Sequence, residues 1–200
     1  MNVASKVHAY AAMIAAFLSF SAVAQGVLDG DGITYSSERQ GTLVPGSSTM
    51  NLQGKARAVS KDFTLEAETI EIDWGRREIK AYGARQADGS YLGRPIFTQG
   101  DRRIGADTLR YNYGTQKGWV YQSSSQEAGG FLFGKQVKMI SDSSYYIGST
   151  RFTTCNHAEP HFAIVAPQAR FDVGKRIVTG PAYLELAHLP TPLALPFGFF

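Results

Sequence analysis

Cys155, His157, Glu159 and His161 stand at every second position of "RFTTCNHAEPHF", residues 151–162, and each is a residue type that ligates zinc. Cys155 is the only cysteine in the chain, and a thiol beside imidazoles is also a pairing used for nucleophilic catalysis. Spacing weighs against both readings. Alternate side chains of an extended strand share a face at intervals of about 6.6–7 Å. Zinc needs its ligands at about 2.0–2.3 Å, so one straight strand does not gather four of them. Pro160 interrupts the strand, and a turn over Asn156–Pro160 would rescue two ligands more readily than four. For catalysis, neither an oxyanion-forming glycine loop nor a separate orienting acid stands nearby. The stretch therefore yields no metal site and no catalytic residue. A second set, Glu66, Glu68, Glu71 and Asp73, has the residue types of a paired-carboxylate glycosidase. These acids alternate against apolar positions and read as the solvent face of a strand, not as a cleft that drives two pKa values apart. No enzyme activity and no cofactor is expected.

The surrounding chain decides how such residues are placed. It opens with Lys6, an apolar run "AYAAMIAAFLSF" and then "SAVA", the order of an export signal. The run is shorter than the roughly 20 residues of a membrane-spanning helix. Cleavage is expected after Ala24. Removing residues 1–24 from the 200 leaves 176, enough for one domain, and lowers the formal net charge from +3 to +2. So small a charge directs no strong field at nucleic acid. Export puts the chain beyond a bacterial inner membrane or outside the cell. A single cysteine there has no internal disulfide partner and points to a pairing outside this stretch.

The body reads as β-structure: 21 glycines, alternating apolar and polar residues, and no sustained helical period after residue 25. Three segments align without gaps: "LEAETIEIDWGRREIKA" (65–81), "IGADTLRYNYGTQKGWV" (104–120) and "IVAPQARFDVGKRIVTG" (164–180). The inward residues expected are Leu65, Ala67, Ile70, Ile72 and Trp74, then Ile104, Ala106, Leu109, Tyr111 and Tyr113, then Ile164, Ala166, Ala169, Phe171 and Val173. A partial copy at 147–154 adds Ile147, Ser149, Phe152 and Thr154.

The apolar phase slips by one residue after the alanine of each full copy. A β-bulge there would keep the later residues facing inward. Gly75, Gly114 and Gly174 follow at positions expected to need a positive φ, which makes each copy a hairpin. The linkers "LQGKARAVSKDF" (52–63) and "LFGKQVKMISDS" (132–143) share an apolar-x-Gly-Lys start.

Units of this kind bury their faces only by stacking. The expected fold is all-β, an antiparallel β-solenoid-like jelly roll bent into a V with an apolar interior; a compact two-sheet sandwich is the alternative. Small residues recur at one level (Ala67, Ala106, Ser149, Ala166) and leave room for a groove, although an ordinary core has the same pattern. Arg76, Arg77, Lys117, Lys175 and Arg176 follow the turn glycines, and Arg102 and Arg103 are read with them. They are either solvated tips that discourage edge pairing or an attractor for lipid phosphates or an acidic partner. Residues 25–50 form a leader and 51–187 the β-domain. "HLPTPLALPFGFF" (188–200) has three prolines, no Asp, Glu, Lys or Arg, and closing phenylalanines, so it reads as a transition to further chain, with a membrane barrel as the reasonable continuation.

The Thr-Thr-Cys of 153–155 with Pro160 soon after, the upstream Ala-Asp-x-Leu-x-Tyr units, and the exit Leu195-Pro196-Phe197-Gly198-Phe199-Phe200 together resemble the lipopolysaccharide-assembly outer-membrane protein family, LptD or OstA. The resemblance spans roughly residues 50–200, and "PLALPFGFF" is most similar to Bacteroidota members. It implies a periplasmic OstA-like jelly roll ahead of a large outer-membrane barrel, lipopolysaccharide as cargo, an LptA-like bridge as donor and an LptE-like lipoprotein as plug. It also implies that Cys155 pairs with a barrel cysteine. The inward residues Leu65 to Val173 named above would then line a groove for acyl chains. The chain departs from the pattern in having one cysteine, and in ending at Phe200 where a barrel should begin. A structural adaptor that joins similar β-domains edge to edge shares this fold and carries no lipid.

Overall fold

Alternation of apolar and polar residues produces strands throughout. A computed structural model describes residues 24–28, 32–43, 46–127, 129–157 and 159–199. The export signal expected over residues 1–24 lies outside the described residues except for Ala24. In chain order the strands are β1 (Ala24–Leu28), β2 (Ile33–Ser37), β3 (Gln40–Leu43), β4 (Thr49–Val59), β5 (Thr64–Asp73), β6 (Glu78–Tyr82), β7 (Ala84–Arg85), β8 (Tyr91–Leu92), β9 (Ile96–Gln99) and β10 (Arg102–Gly105). They continue as β11 (Thr108–Asn112), β12 (Lys117–Glu127), β13 (Gly130–Met139), β14 (Ser144–Thr153), β15 (Phe162–Asp172), β16 (Arg176–Thr179), β17 (Ala182–Leu186), β18 (Leu189–Leu195) and β19 (Gly198–Phe199). The fold is all-β, and no helix among the described residues is long and apolar enough to cross a membrane.

Every pairing is antiparallel. All strands but the small β7–β8 hairpin belong to one continuous sheet. The sheet bends because its long strands change partners halfway. Residues 69–73 of β5 pair with β6, whereas 64–66 pair with β9. β12 pairs first with β11 and then with β10, and β15 pairs with β17 through its first half and with β16 through its second. Two facing layers result. They meet across the interior, where Phe97 of β9 lies 5.1 Å, centroid to centroid, from Tyr111 of β11.

The bend follows a seam. The ladders β12–β13, β13–β14 and β14–β15 each skip one pair, so that Gln122, Lys135, Ser149 and Pro167 form a line of unladdered residues. Gln122 and Ser149 are left-handed, with φ of 52°. This accounts for the slip in apolar phase: Leu65 and Ala67 face inward and so do Ile70 and Ile72, and Ala166 is followed by Ala169. The expected bulge is present in one ladder, where β4 fits Gly54 and Lys55 against Glu68 alone. In the second copy the slip is a break between β10 and β11 rather than a bulge. Ser149 and Thr154, expected inward, are exposed. The reversal at Ser149 moves the inward phase one residue on, to Thr150 and then Phe152, and Thr154 lies beyond the end of β14, which closes on the buried Thr153.

The turns also differ from expectation. Gly174 has a positive φ of 66°, but Gly75 and Gly114 do not; the left-handed residues of their loops are Arg77 (54°) and Gln116 (56°). The first two loops hold four residues and the third holds three, so the second strand of the third copy is offset. Glycine at 75 and 114 is explained by close approach, since a Cβ would clash with Ser48 Oγ at the first and come within 2.8 Å of Arg77 Cδ at the second. The loops rest on one another: Asn112 Nδ2 donates to Arg76 O at 2.9 Å and Tyr113 N to Arg77 O at 3.0 Å.

Asp73 and Asn112 cap their turns, and Asp172 ties its own to the neighbouring loop through Ser144. Asp73 Oδ1 accepts Arg76 N at 3.0 Å and Ser48 Oγ at 3.1 Å; Asn112 Oδ1 accepts Thr115 N at 2.8 Å; Asp172 Oδ1 accepts Ser144 Oγ at 2.8 Å. The Arg76 amide above all holds the Asp73 carboxyl below its ordinary range, and the Ser144 hydroxyl does the same for Asp172. A depressed folded-state pKa contributes stability above the unfolded value near 3.8 and loses it as pH falls through the folded value. Urea midpoints are therefore expected to drop below about pH 4. Asp73→Asn with Asp172→Asn should flatten that acid limb by lowering the midpoint at pH 7 toward its acid value, because the contribution removed is the one the ionised carboxylates make above about pH 4. An unchanged acid limb in the double variant would remove this role.

Candidate functional site

The expected inward residues other than Ser149 and Thr154 converge on the interior, and it is not uniform. Toward β4–β6, β9 and β11 it is closed. Leu52, Leu65, Ile70, Ile72, Ile79 and Leu109 are fully buried, with Ala67, Ala81 and Ala106 between them. Phe63, Phe97 and Tyr111 interlock, with ring centroids 5.1–5.6 Å apart. Burial pushes the Tyr111 hydroxyl up to about 12. Trp74 and Tyr113 seal this core from the turn side.

Toward β13–β17 the interior is hollow. An apolar cavity of about 200 Å³ is lined by Leu132, Thr150, Phe152, Ile164, Ala166, Ile177 and Thr179. Thr150 Oγ1 donates to Ile147 O and Thr179 Oγ1 to Gly198 O, so both hydroxyls are satisfied by backbone and the wall stays apolar. Of the sequence-derived residues, Phe152, Ile164 and Ala166 line this cavity. Ile104, Ile147 and Phe171 flank a narrow crevice beside it, and Val173 packs partly buried at the turn end.

Between the two regions stands Arg102. Read from sequence as a basic tip, it is instead an interior side chain. Its guanidinium sits 4.7 Å from the Tyr145 ring centre and 5.5 Å from that of Phe171, and its Nε lies 3.5 Å from Glu127 Oε1. Arg102 shares the inward face of β10 with Ile104, two residues on, so alternation within the strand places it where its basic character argued against. Arg76, Arg77, Lys117, Lys175 and Arg176 are exposed at the turn end as expected. Of the four acids, Glu66 is exposed and Glu71 and Asp73 are half-buried, but Glu68 is buried. It lies opposite the bulge under Gly93, whose carbonyl accepts the Glu68 amide at 2.7 Å, and its carboxylate is ion-paired with Arg39.

Residues 154–157 and 159–161 lie outside any strand, and that changes the opening cluster. Cys155 Sγ and one ring nitrogen each of His157 and His161 lie within 4.8 Å of one another; Glu159 is not among them. Cys155 Sγ is 3.7 Å from His161 Nδ1, and the histidine rings are 4.9 Å apart. The spacing rule that separates these residues holds only for extended backbone.

The structure adds a surface that the sequence does not indicate, and it places a segment that the sequence does. On the outer side of the seam a polar concavity of about 840 Å³ includes Arg94, Lys135 and Arg151. Arg94 is paired with Asp107 at 2.8 Å and Arg151 with Glu185, so much of its charge is internally satisfied. The 188–199 segment folds back as β18 and β19 on β17 and β16. There Leu189, Leu193, Leu195, Phe197 and Phe199 are 60–72% exposed, an apolar margin beside the hollow region. Pro190 and Pro192 in β18 lack amides and blunt this edge against strand addition.

Fold and site thus define an antiparallel β-module, packed shut at one end and hollow at the other. No family model matches the chain. No curated protein matches it. Among solved structures, the crystal structure of LptH, the LptA-homologous periplasmic component of the conserved lipopolysaccharide transport device from Pseudomonas aeruginosa, aligns with 54% of this chain and 75% of its own at 10% identity and a TM-score of 0.43. At that score the alignment decides neither the fold nor the activity of this chain.

Proposed function

We propose that the chain is a periplasmic lipid-conduit module, which takes lipopolysaccharide acyl chains from an LptA-like bridge and passes them toward an outer-membrane barrel with its LptE-like plug. The cavity of about 200 Å³ carries this reading. Apolar cavities of about 150 Å³ stay dry and accept hydrocarbon guests. Each methylene that enters gains about 0.8 kcal/mol over water, and a wall without orphaned polar atoms lets a chain slide without a deep trap. The exposed apolar margin of β18 and β19 adjoins the cavity through Thr179 and continues the apolar surface outward. No catalytic group is needed for such movement.

The groove in this reading is restricted to the hollow half. Leu65, Ile70, Ile72 and Leu109 are fully buried, line none of the cavities described above, and support the enclosed core. That closed core favours the second reading, an adaptor joined edge to edge, and the proline-free edge strand β3 suits it.

One experiment separates them. A photocrosslinking residue at Phe152 or Ile164 in cells is expected to give a lipopolysaccharide adduct, whereas Leu109 and the outward Arg110 should not. Ala166→Phe, which fills the cavity, should abolish the adduct while leaving the melting temperature unchanged or raised. Folded, exported protein with no adduct at either position would put the adaptor first.

A further inference from the structure

We propose that Cys155, His157 and His161 form a binding site for a thiophilic divalent cation, with Zn²⁺ as the type case. The site is independent of what the interior carries. A tetrahedral ion with Zn–S near 2.3 Å and Zn–N near 2.0–2.1 Å holds its ligand atoms about 3.3–3.6 Å apart. Cys155 Sγ and His161 Nδ1 stand at 3.7 Å, close to that separation, and all three donor atoms fall within 4.8 Å. Small side-chain rotations complete the contraction. One thiolate and two imidazoles are a donor set that selects zinc over magnesium or calcium.

The backbone is already arranged for it. Cys155 N donates to Thr153 Oγ1 at 3.0 Å, and Thr153 is buried at the end of β14. His161 O accepts Ala187 N at 2.8 Å, which ties the other end of the loop to the segment after β17. Both ends are thus anchored to the sheet, and little ordering is left for the metal to impose. His157 and His161 are exposed and Cys155 is half-buried, so an ion reaches them from solvent. The fourth coordination position is left for water or an incoming donor, as in open zinc sites. Binding displaces the Cys155 thiol proton, so affinity rises with pH. A metal-held thiolate is not free to enter a disulfide, and the two fates of Cys155 are mutually exclusive.

Co²⁺ titrated into the 200-residue chain under a non-thiol reductant is the test. A saturable thiolate-to-cobalt band with tetrahedral visible absorption is expected, and Zn²⁺ should displace both. Cys155→Ser should remove the thiolate band. His157→Ala and His161→Ala should each weaken binding by at least about 10–100-fold, the loss seen even for supporting groups around a metal. Glu159→Gln should bind as the unsubstituted chain does. On that unsubstituted chain Zn²⁺ should also slow alkylation of Cys155, a readout that needs no variant to fold. An absent band, a band that survives Cys155→Ser, or alkylation indifferent to Zn²⁺ would overturn the site. A loss with Glu159→Gln equal to that of the histidine variants would overturn its three-ligand composition.

Discussion

Leu109→Ala is expected to destabilise the fold by about 2–5 kcal/mol and to lower the melting temperature by roughly 4–20 °C. Leu109 is fully buried, and its ladder neighbours are Ala81 on one side and Val120 on the other. Neither reaches into the space a lost isobutyl group leaves. The Phe63–Phe97–Tyr111 cluster is held by contacts across both layers, so the site does not collapse, and the cavity term adds to the lost transfer energy. Ile164→Ala makes the contrast. Ile164 already borders empty volume, so only the transfer term is lost, about 1–2 kcal/mol. Denaturant melts of the two variants read the difference directly. Equal losses would mean that the interior is packed alike at both ends and that the hollow region is not a property of the folded chain.

Arg102→Met is the second large effect expected, a loss of about 3 kcal/mol. The Arg102 and Glu127 side chains are only 17% and 14% exposed. Removing one partner of an enclosed pair leaves the other charge without compensation, which costs about 3–5 kcal/mol when burial is complete. The residual exposure here places the loss at the lower end. Methionine preserves most of the stem that packs on Tyr145 and Phe171, so the loss reports charge rather than volume. Arg102→Met with Glu127→Leu should recover most of the stability, since replacing a whole buried pair by apolar residues is near neutral. A double variant no better than the single one would show that the arginine acts through its aromatic contacts instead. In a stable double variant the crevice flanked by Ile104, Ile147 and Phe171 loses both of its charged side chains and keeps Ser123 and Ser125 as polar lining.

Much of this was legible in alternation. Apart from Ser149 and Thr154, the expected inward residues between Leu65 and Val173 are buried, pack against the core or, as Ile164 does, line the cavity, because strand periodicity fixes which side a residue takes, and the slip after Ala67 and Ala166 is visible as a break in that periodicity. What alternation leaves out is volume. Leu109 and Ile164 occupy the same kind of position in the pattern, yet one is enclosed and the other borders a cavity, because filling depends on side chains from the opposite layer. Backbone reversal was misplaced for a similar reason. Glycine marks where a Cβ does not fit, and at Gly75 the obstacle is Ser48, while the left-handed residue is Arg77. Arg102 reads as solvent-facing from its charge, although alternation with Ile104 gives it the inward side, whereas nothing local to Glu68 reveals the segment at Gly93 that folds over it. The convergence of Cys155, His157 and His161 was lost to the assumption of extended backbone.

The seam through Gln122, Lys135, Ser149 and Pro167 makes the two layers halves of the same strands, joined by a crease rather than by linkers. Mechanically, any change in the gap between the layers is a change in one angle shared by neighbouring strands, and it falls where each ladder already lacks a pair.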